Sequence, residues 1–506
     1  MNSPFPIVGI GASAGGLEAY TALLRELPAD TGMAFVLVQH LSPDSASMLS
    51  EILTSTTALP VVEVTHGMAV QPDHIYVMPS NVQMTMRGRT LQLIPRDTVQ
   101  GRFMPINAFF KSLADNHQDW AIAVVLSGLD GDGSAGLERV KRAGGITFAQ
   151  REGTAQHDGM PNTAIETGAD EFILSPSEIA RELASIAQHP YLSSSSSSLA
   201  EVHRGREGER EETGGTANAE TIEEGASEES ELEGRSRESD LSSVYLLLRA
   251  ITGADFTLYK RATFERRLKR RMALNRSYTI SDYTEHLRRN PAEVKALYHD
   301  VLISVTSFFR DADAFDFLQT TVFPALTEHK DLDSSIRLWV AGCATGEECY
   351  SLAICLLAHL SAQDINVSVQ IFGTDLSETA IETARQGIYS DSRMASVSPE
   401  RRRRFFHRTD GGYKISKAVR ELCVFARQNL GSDPPFSNID LVSCRNVLIY
   451  FAPTLQRRIL SIFHYSLNPS GYLWLGSSES VRESAELFTA VDQNHRVYSR
   501  NAVAGQ

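Results

Sequence analysis

Between residues 193 and 240 the sequence loses the apolar patterning of a folded chain. A run of six serines leads into Glu, Gly, Ser and Thr with scarcely a large apolar side chain. A segment that buries so little cannot offset its ordering entropy, so a disordered linker is expected over 193–240. Gly205, Gly208, Gly214, Gly215, Gly225 and Gly234 interrupt it and argue against a long Glu-rich helix. The segment holds 14 acidic and 5 basic residues, hence nine of the chain's 14 net negative charges. Its flanks are therefore nearly neutral, and with 42% hydrophobic residues among 506 they must build at least two cores.

Both flanks read as α/β. Before the linker, short β-rich runs at 7–10, 34–38, 74–77 and 122–126 alternate with helical patterns at 16–27 and 134–143. After it, 241–305 is helical and charge-rich, and apolar strands at 336–340, 369–373 and 439–443 are each followed by a helix pattern. The expected fold is two doubly wound parallel-sheet domains: residues 1–192, the linker 193–240, a helical subdomain 241–325, and a second sheet domain 326–506. No repeat relates the halves. The acidic balance disfavours a partner bound through phosphates, so no nucleic acid is expected. Five cysteines without a C-x-x-C pair point to a reducing compartment. The most apolar helical stretch, 351–360, is about half of the ~20 residues needed to span a bilayer. A cytoplasmic protein with no membrane insertion follows.

The first strand runs into Gly11-Ala12-Ser13-Ala14-Gly15-Gly16, which fits both the dinucleotide fingerprint G-x-G-x-x-G/A and the nucleophile elbow G-x-S-x-G. The next strand separates the two. A nucleotide fold wants an acid there for the ribose, and this strand ends in Gln39-His40. The strand at 122–126 leads into Ser127-Gly128-Leu129-Asp130-Gly131-Asp132-Gly133. Ser, His and Asp thus follow the carboxyl ends of expected parallel strands, the edge along which open α/β sheets gather ligands. Taken singly, Ser13 reads equally well as a helix cap, His40 as a loop histidine and Asp132 as a turn former. Taken together they describe a nucleophile, a base and its orienting acid. No His or Cys spacing suits a metal, so none is expected.

These motifs, with Asp158-Gly159-Met160-Pro161, resemble the catalytic domain of chemotaxis protein-glutamate methylesterases (CheB type) over about residues 4–190. The resemblance implies Ser13 as nucleophile, His40 as base and Asp132, rather than Asp130, as the third member. Ala14 stands where the family has Thr and Leu129 where it has Met, and the family's phosphoacceptor receiver does not precede the domain in this sequence. Regulation is therefore expected to differ while the reaction is kept.

In the second half, Arg337 through Glu348 is a strand ending in a glycine-bounded loop that opens a helix. The loop lacks the Lys of a phosphate-binding P-loop, and Glu347 and Glu348 at the helix start would repel phosphate. A neutral or cationic nucleoside fits better. Asp375, ending the next strand, is placed to accept from ribose hydroxyls, and S-adenosylmethionine is the natural candidate. A plain strand–helix turn with a capping Asp remains the alternative at this point.

Val305-Thr306-Ser307-Phe308-Phe309-Arg310-Asp311, the 342–353 stretch, Asn429-Leu430 and Cys444 through Phe451 together resemble chemotaxis receptor methyltransferases (CheR type) over about 241–500. The resemblance implies Thr306, Arg310, Glu348, Asp375, Asn429, Leu430, Arg445 and Asn446 as S-adenosylmethionine contacts, with Arg310 and Tyr450 near the transferred methyl. Ser304 replaces a usual Asn and Cys349 a usual Pro. Cys343 reads as packing, because no His lies near it in sequence. The basic run Lys260-Arg261, Arg266-Arg267 and Lys269-Arg270-Arg271 reads equally as a solvated helix face or as a dock for acidic receptor helices.

The expectation is a bifunctional enzyme that methylates receptor glutamates and hydrolyses the resulting methyl esters, with glutamine deamidation as an accessory reaction. Its partners would be methyl-accepting receptors and a signalling kinase complex. Two alternatives stand beside it: a signalling scaffold with degenerate sites, and an unrelated serine hydrolase fused to a small-molecule methyltransferase.

Overall fold

In the computed structural model of the chain, residues 5–39, 49–95, 103–168, 170–189, 239–302, 306–328, 334–391, 393–409 and 412–502 are described. His40, Ser304 and residues 193–238 of the expected linker lie outside them. The described chain forms two compact units, one drawn from Met1–Val244 with Arg266–Pro291, the other from Tyr245–Glu265 with Ala292–Gln506.

The first unit is organised around β1 (Ile7–Ala12), buried at all six positions. A strand buried on both faces needs apolar residues at successive positions, which is why IVGIGA does not alternate with polar residues. Ile7 enters one core, and Val8, Ile10 and Ala12 enter the other. The sheet comprises β1, β2 (Ala34–Gln39), β3 (Val61–Glu63), β4 (Ile75–Val77), β5 (Ala121–Val125), β6 (Ile146–Gln150) and β7 (Phe172–Leu174). Their order is β7-β6-β5-β1-β2-β4-β3, with parallel pairing throughout. Helices Gly16–Leu24 and Pro176–Ala187 cover one face, and Pro105–His117 and Ser134–Ala143 the other.

A small antiparallel sheet beside it was not anticipated. Val82–Arg87 pairs with Thr90–Pro95 and Met68–Ala69 joins the edge. The tight turn between the two longer strands places Gly88 at φ +55°. Met84, Met86 and Leu91 bury one side of it, a pattern that only becomes visible once the hairpin is paired.

The basic helix Arg261–Leu274 departs from both readings of its charges. Arg267 and Arg270 are buried. Within the first unit Arg270 pairs with Glu171 and donates to the Gly145 carbonyl at 3.3 Å. Ala273 enters the core beneath Leu183 and Ile186, and Arg276 reaches Glu182 at 2.5 Å. Part of the run is thus internal structure, neither solvated nor open to an acidic helix. The residue spacing alone did not reveal this, because the acids that accept Arg270 and Arg276 lie about 100 positions away in sequence.

In the second unit the parallel core comprises β8 (Ser335–Ala341), β9 (Ser368–Asp375), β10 (Cys423–Arg427), β11 (Ile439–Cys444) and β12 (Leu467–Leu475). β13 (Phe488–Asp492) and β14 (Val497–Arg500) extend it antiparallel in the order β10-β9-β8-β11-β12-β14-β13. Ile336, Leu338 and Val340 point to one core, Trp339 and Ala341 to the other. Phe308 and Phe309 are core residues too. Among the described residues, no helix is long and apolar enough to cross a membrane.

Candidate active sites

In the first unit, β1 lies between β5 and β2, so the residues after these three strands share one edge of the sheet. Gly11, near the end of β1, admits the helix Pro105–His117: a Cβ there would sit 2.4 Å from Ile106. Gly15 takes φ +72° and starts the helix Gly16–Leu24, leaving Ser13 at the sharp bend between strand and helix.

Backbone bonds stitch the neighbouring loops to this bend. Ser13 N donates to the Ser127 carbonyl at 2.9 Å, and Ser127 Oγ donates to the Ala14 carbonyl at 2.8 Å. Gly128 N reaches the His157 carbonyl and Met160 N the Gly128 carbonyl. The three motifs around Ser13, Ser127 and Asp158 therefore meet. Asp132 is fully buried, and its carboxylate accepts from the N–H groups of Ile106, Asn107 and Gly133, each at 2.9 Å. Three of the roughly four acceptor sites of a carboxylate are thereby used to fix its orientation. Asp130 caps the same loop, accepting from Asp132 N at 3.1 Å, and Leu129 is exposed. His40, which follows Gln39 at the end of β2, lies outside the described residues.

The second unit holds a cavity of about 420 Å³ at the carboxyl ends of β8, β9 and β11. Thr306, Arg310, Glu348, Asp375, Asn429, Leu430, Arg445, Asn446 and Tyr450 all line it, although they are spread over some 145 positions of sequence. Asp375 is held by the loop it faces: one oxygen accepts from Ala344 N at 2.9 Å and the other from Ser377 N at 2.8 Å. Burial pushes its carboxyl up from the ordinary range, and the N–H groups of Ser377, Ala344 and Leu376 pull it back. The glycine-bounded loop is left-handed at Gly342, Ala344 and Gly346, which brings backbone to the cavity wall. The Cys343 thiol is buried and pushed up chiefly by that burial, the environment of a packing residue.

Arg445 and Glu348 form one cluster. The guanidinium donates to Glu348 Oε2 at 3.0 Å, to Asp311 Oδ2 at 2.5 Å and to the Arg310 carbonyl at 2.9 Å, and lies 4.1 Å over the Trp474 ring. Glu348 Oε1 accepts from Ser443 Oγ at 2.6 Å. Arg445 thus holds the Arg310–Asp311 turn against the sheet. Glu347, the other acid at the helix start, is buried and pairs with Arg393 at 3.0 Å.

The residues present fit S-adenosylmethionine. The side-chain oxygens of Gln428 and Asn446 are buried on the cavity wall without a hydrogen-bond partner, as acceptors awaiting a ligand's donors would be. Asp375 offers the carboxylate a ribose needs. Thr306, Arg310, Glu348, Asp375, Asn429, Leu430, Arg445 and Asn446 are the residues that would hold it.

Family models match along the length of the chain: "CheB methylesterase" over residues 8–183, "CheR methyltransferase, all-alpha domain" over 239–302 and "CheR methyltransferase, SAM binding domain" over 304–497. A "Putative methyltransferase Cher3" of Pseudomonas putida is 34% identical over 278 residues, 52% of this chain and 98% of that protein. The chain belongs to the CheR methyltransferase family. A CheB methylesterase domain is fused ahead of the CheR domains. A "Chemotaxis protein methyltransferase 2" of Pseudomonas aeruginosa is 32% identical, across 51% of this chain and 92% of that one. An "Uncharacterized 104.1 kDa protein" of Rhodobacter capsulatus is 35% identical over 451 residues, 89% of this chain. This chain spans 46%, about half, of that relative's length.

Sequence reading of this CheR-family chain missed one wall of the cavity. Arg249, Asp255 and Tyr259, from the helical stretch before residue 265, line it with the residues named above. Lys260 N donates to the Tyr450 carbonyl at 2.8 Å and Ala452 N to the Leu258 carbonyl at 2.9 Å. This short antiparallel contact carries Tyr259 to the site, and its ring meets Phe451 edge-on at 5.0 Å. No local pattern marks Tyr259, because its partner strand lies almost 200 residues later.

Proposed function

We propose that this chain methylates glutamate side chains of methyl-accepting receptors with S-adenosylmethionine and hydrolyses glutamate methyl esters, with glutamine deamidation as an accessory reaction of the esterase site. The observation that supports this most is the gathering of residues from 306 to 450 around one cavity with a carboxylate at a strand end and unpartnered acceptors on its wall.

S-adenosylmethionine supplies an electrophilic sulfonium methyl group. The acceptor carboxylate is ionised at neutral pH and needs no general base, only alignment and exclusion of water. Arg310, on the cavity wall, orients the acceptor, and Tyr450 shields the methyl. At the other site Ser13 Oγ attacks the ester carbonyl while His40 takes its proton. Asp132 orients the imidazole, methanol departs, and water then cleaves the acyl-serine bond. Backbone N–H groups of the loops after β1 and β5 stabilise the oxyanion. The substrates are acidic receptor helices, the site of action is the cytoplasm, and a receptor-bound kinase complex is the expected neighbour.

Incubating the chain with methyl-labelled S-adenosylmethionine and receptor cytoplasmic fragments should yield base-labile methyl on the fragments, then labelled methanol. Label that appears neither on the fragments nor in methanol refutes the reading.

A further inference from the structure

Beside the cavity, one buried carboxylate ties a loop that lines it to the loop after the neighbouring strand. Glu479 is 4% exposed. Its Oε2 accepts from Asn446 N at 2.9 Å and Gly476 N at 2.7 Å, and its Oε1 from Val447 N at 2.8 Å and Ile449 N at 3.3 Å. Gly476 follows the end of β12 and residues 446–449 follow the end of β11, two strands paired in parallel through Cys444 and Leu475. The carboxylate therefore ties the ends of adjacent strands together.

The loop it fixes carries Asn446, Val447 and Tyr450 into the cavity. Asn446 stands at φ +60°, a left-handed conformation that costs a non-glycine residue energy unless its surroundings impose it. Burial pushes the Glu479 carboxyl up, and the four N–H groups oppose that shift. Four donors converging on two oxygens are a demand that no neutral side chain of this shape meets. A Gln has one acceptor oxygen, and its NH₂ would face two backbone donors.

We infer that Glu479 is a positioning residue of the methyltransferase site, setting the Asn446–Tyr450 loop in the conformation that receives S-adenosylmethionine. This rests on the reading of Asn446 as a cofactor contact. It predicts that a change at Glu479 acts on cofactor affinity through Asn446 rather than through a general loss of structure.

The test is S-adenosylmethionine binding by calorimetry to the full chain as wild type, Glu479→Gln, Asn446→Ala and the double variant, with methyl-ester hydrolysis by the same preparations as the control for integrity. Glu479→Gln should weaken binding about tenfold or more, the effect of losing roughly one charge-assisted hydrogen bond, while ester hydrolysis is unchanged. The double variant should bind about as the weaker single does, because residues acting through one another are not additive. If Glu479→Gln does not accumulate as folded protein, Gly476→Ala carries the same expectation, since its methyl would lie 2.8 Å from both Glu479 Oε2 and Asn446 N. Wild-type affinity in Asn446→Ala overturns the reading of that residue and this inference with it. A weakened Asn446→Ala beside a wild-type Glu479→Gln, or losses that multiply in the double variant, overturns this inference alone.

Discussion

Replacing Arg445 by Met removes the guanidinium and keeps most of the side-chain volume. In the native structure that side chain is 2% exposed, its partner Glu348 is 11% exposed and its other partner Asp311 is 43% exposed. The pair with Asp311, open to water, contributes about 0–1 kcal/mol. The pair with Glu348 is different: losing the cation leaves a buried carboxylate with Ser443 Oγ as its hydrogen-bonding partner in the cluster, a situation that costs about 3–5 kcal/mol. The stacking on Trp474 adds about 0.5–2 kcal/mol, though these contributions overlap and do not sum. The expected destabilisation of the methyltransferase unit is about 3–5 kcal/mol. Most of it stems from the stranded charge, so Arg445→Met with Glu348→Gln should recover at least about 1 kcal/mol of it. Urea titration followed by circular dichroism gives the stabilities, and the transition that shifts when S-adenosylmethionine is added identifies the unit concerned. A loss below about 1 kcal/mol in Arg445→Met, or a double variant less stable than the single one, would refute the argument that Arg445 neutralises Glu348.

Three further outcomes follow from the geometry. Ser13→Ala should abolish methyl-ester hydrolysis and leave methyl transfer intact, measured on the same preparation; near-wild-type hydrolysis would sink the nucleophile assignment. Asp375→Ala should weaken S-adenosylmethionine binding by about 1–3 kcal/mol in calorimetry, whereas Arg310→Ala should mainly lower the transfer rate at saturating cofactor. Arg270→Ala, which removes the cation paired with Glu171, whose side chain is 9% exposed in the first unit, should cost about 3–5 kcal/mol and lower the temperature at which ester hydrolysis is lost; an unmoved midpoint would show that the pair adds no stability.

The α/β class and the division into two cores were legible in the chain because both have local causes. A strand covered on both faces must be apolar at successive positions, as at 7–12 and 335–341, and the residues at its carboxyl end then mark the ligand edge. That is how Ser13, Asp375 and the loop carrying Asp130 and Asp132 could be picked out without coordinates, while the resemblance chose Asp132 of the two. The small hairpin sheet at 82–95 and the antiparallel edge at 488–500 were not legible, since short strands with half-buried faces differ little from loops until they pair.

What the sequence determined alone was therefore the kind of sheet, the strand ends and the residue types waiting there. Tertiary structure decided what each charge does. Arg267 and Arg270 read as surface until Glu171 and the Gly145 carbonyl came to meet Arg270. Arg445 lines the cavity and is also engaged with Glu348, Asp311 and the Arg310 backbone, which no motif foretold. Tyr259 and Glu479 carried no motif that distinguished them. The physical reason is common to all of these: the energy of a buried charge or a cavity wall depends on groups brought from distant positions, and the local sequence holds no record of which distance will close.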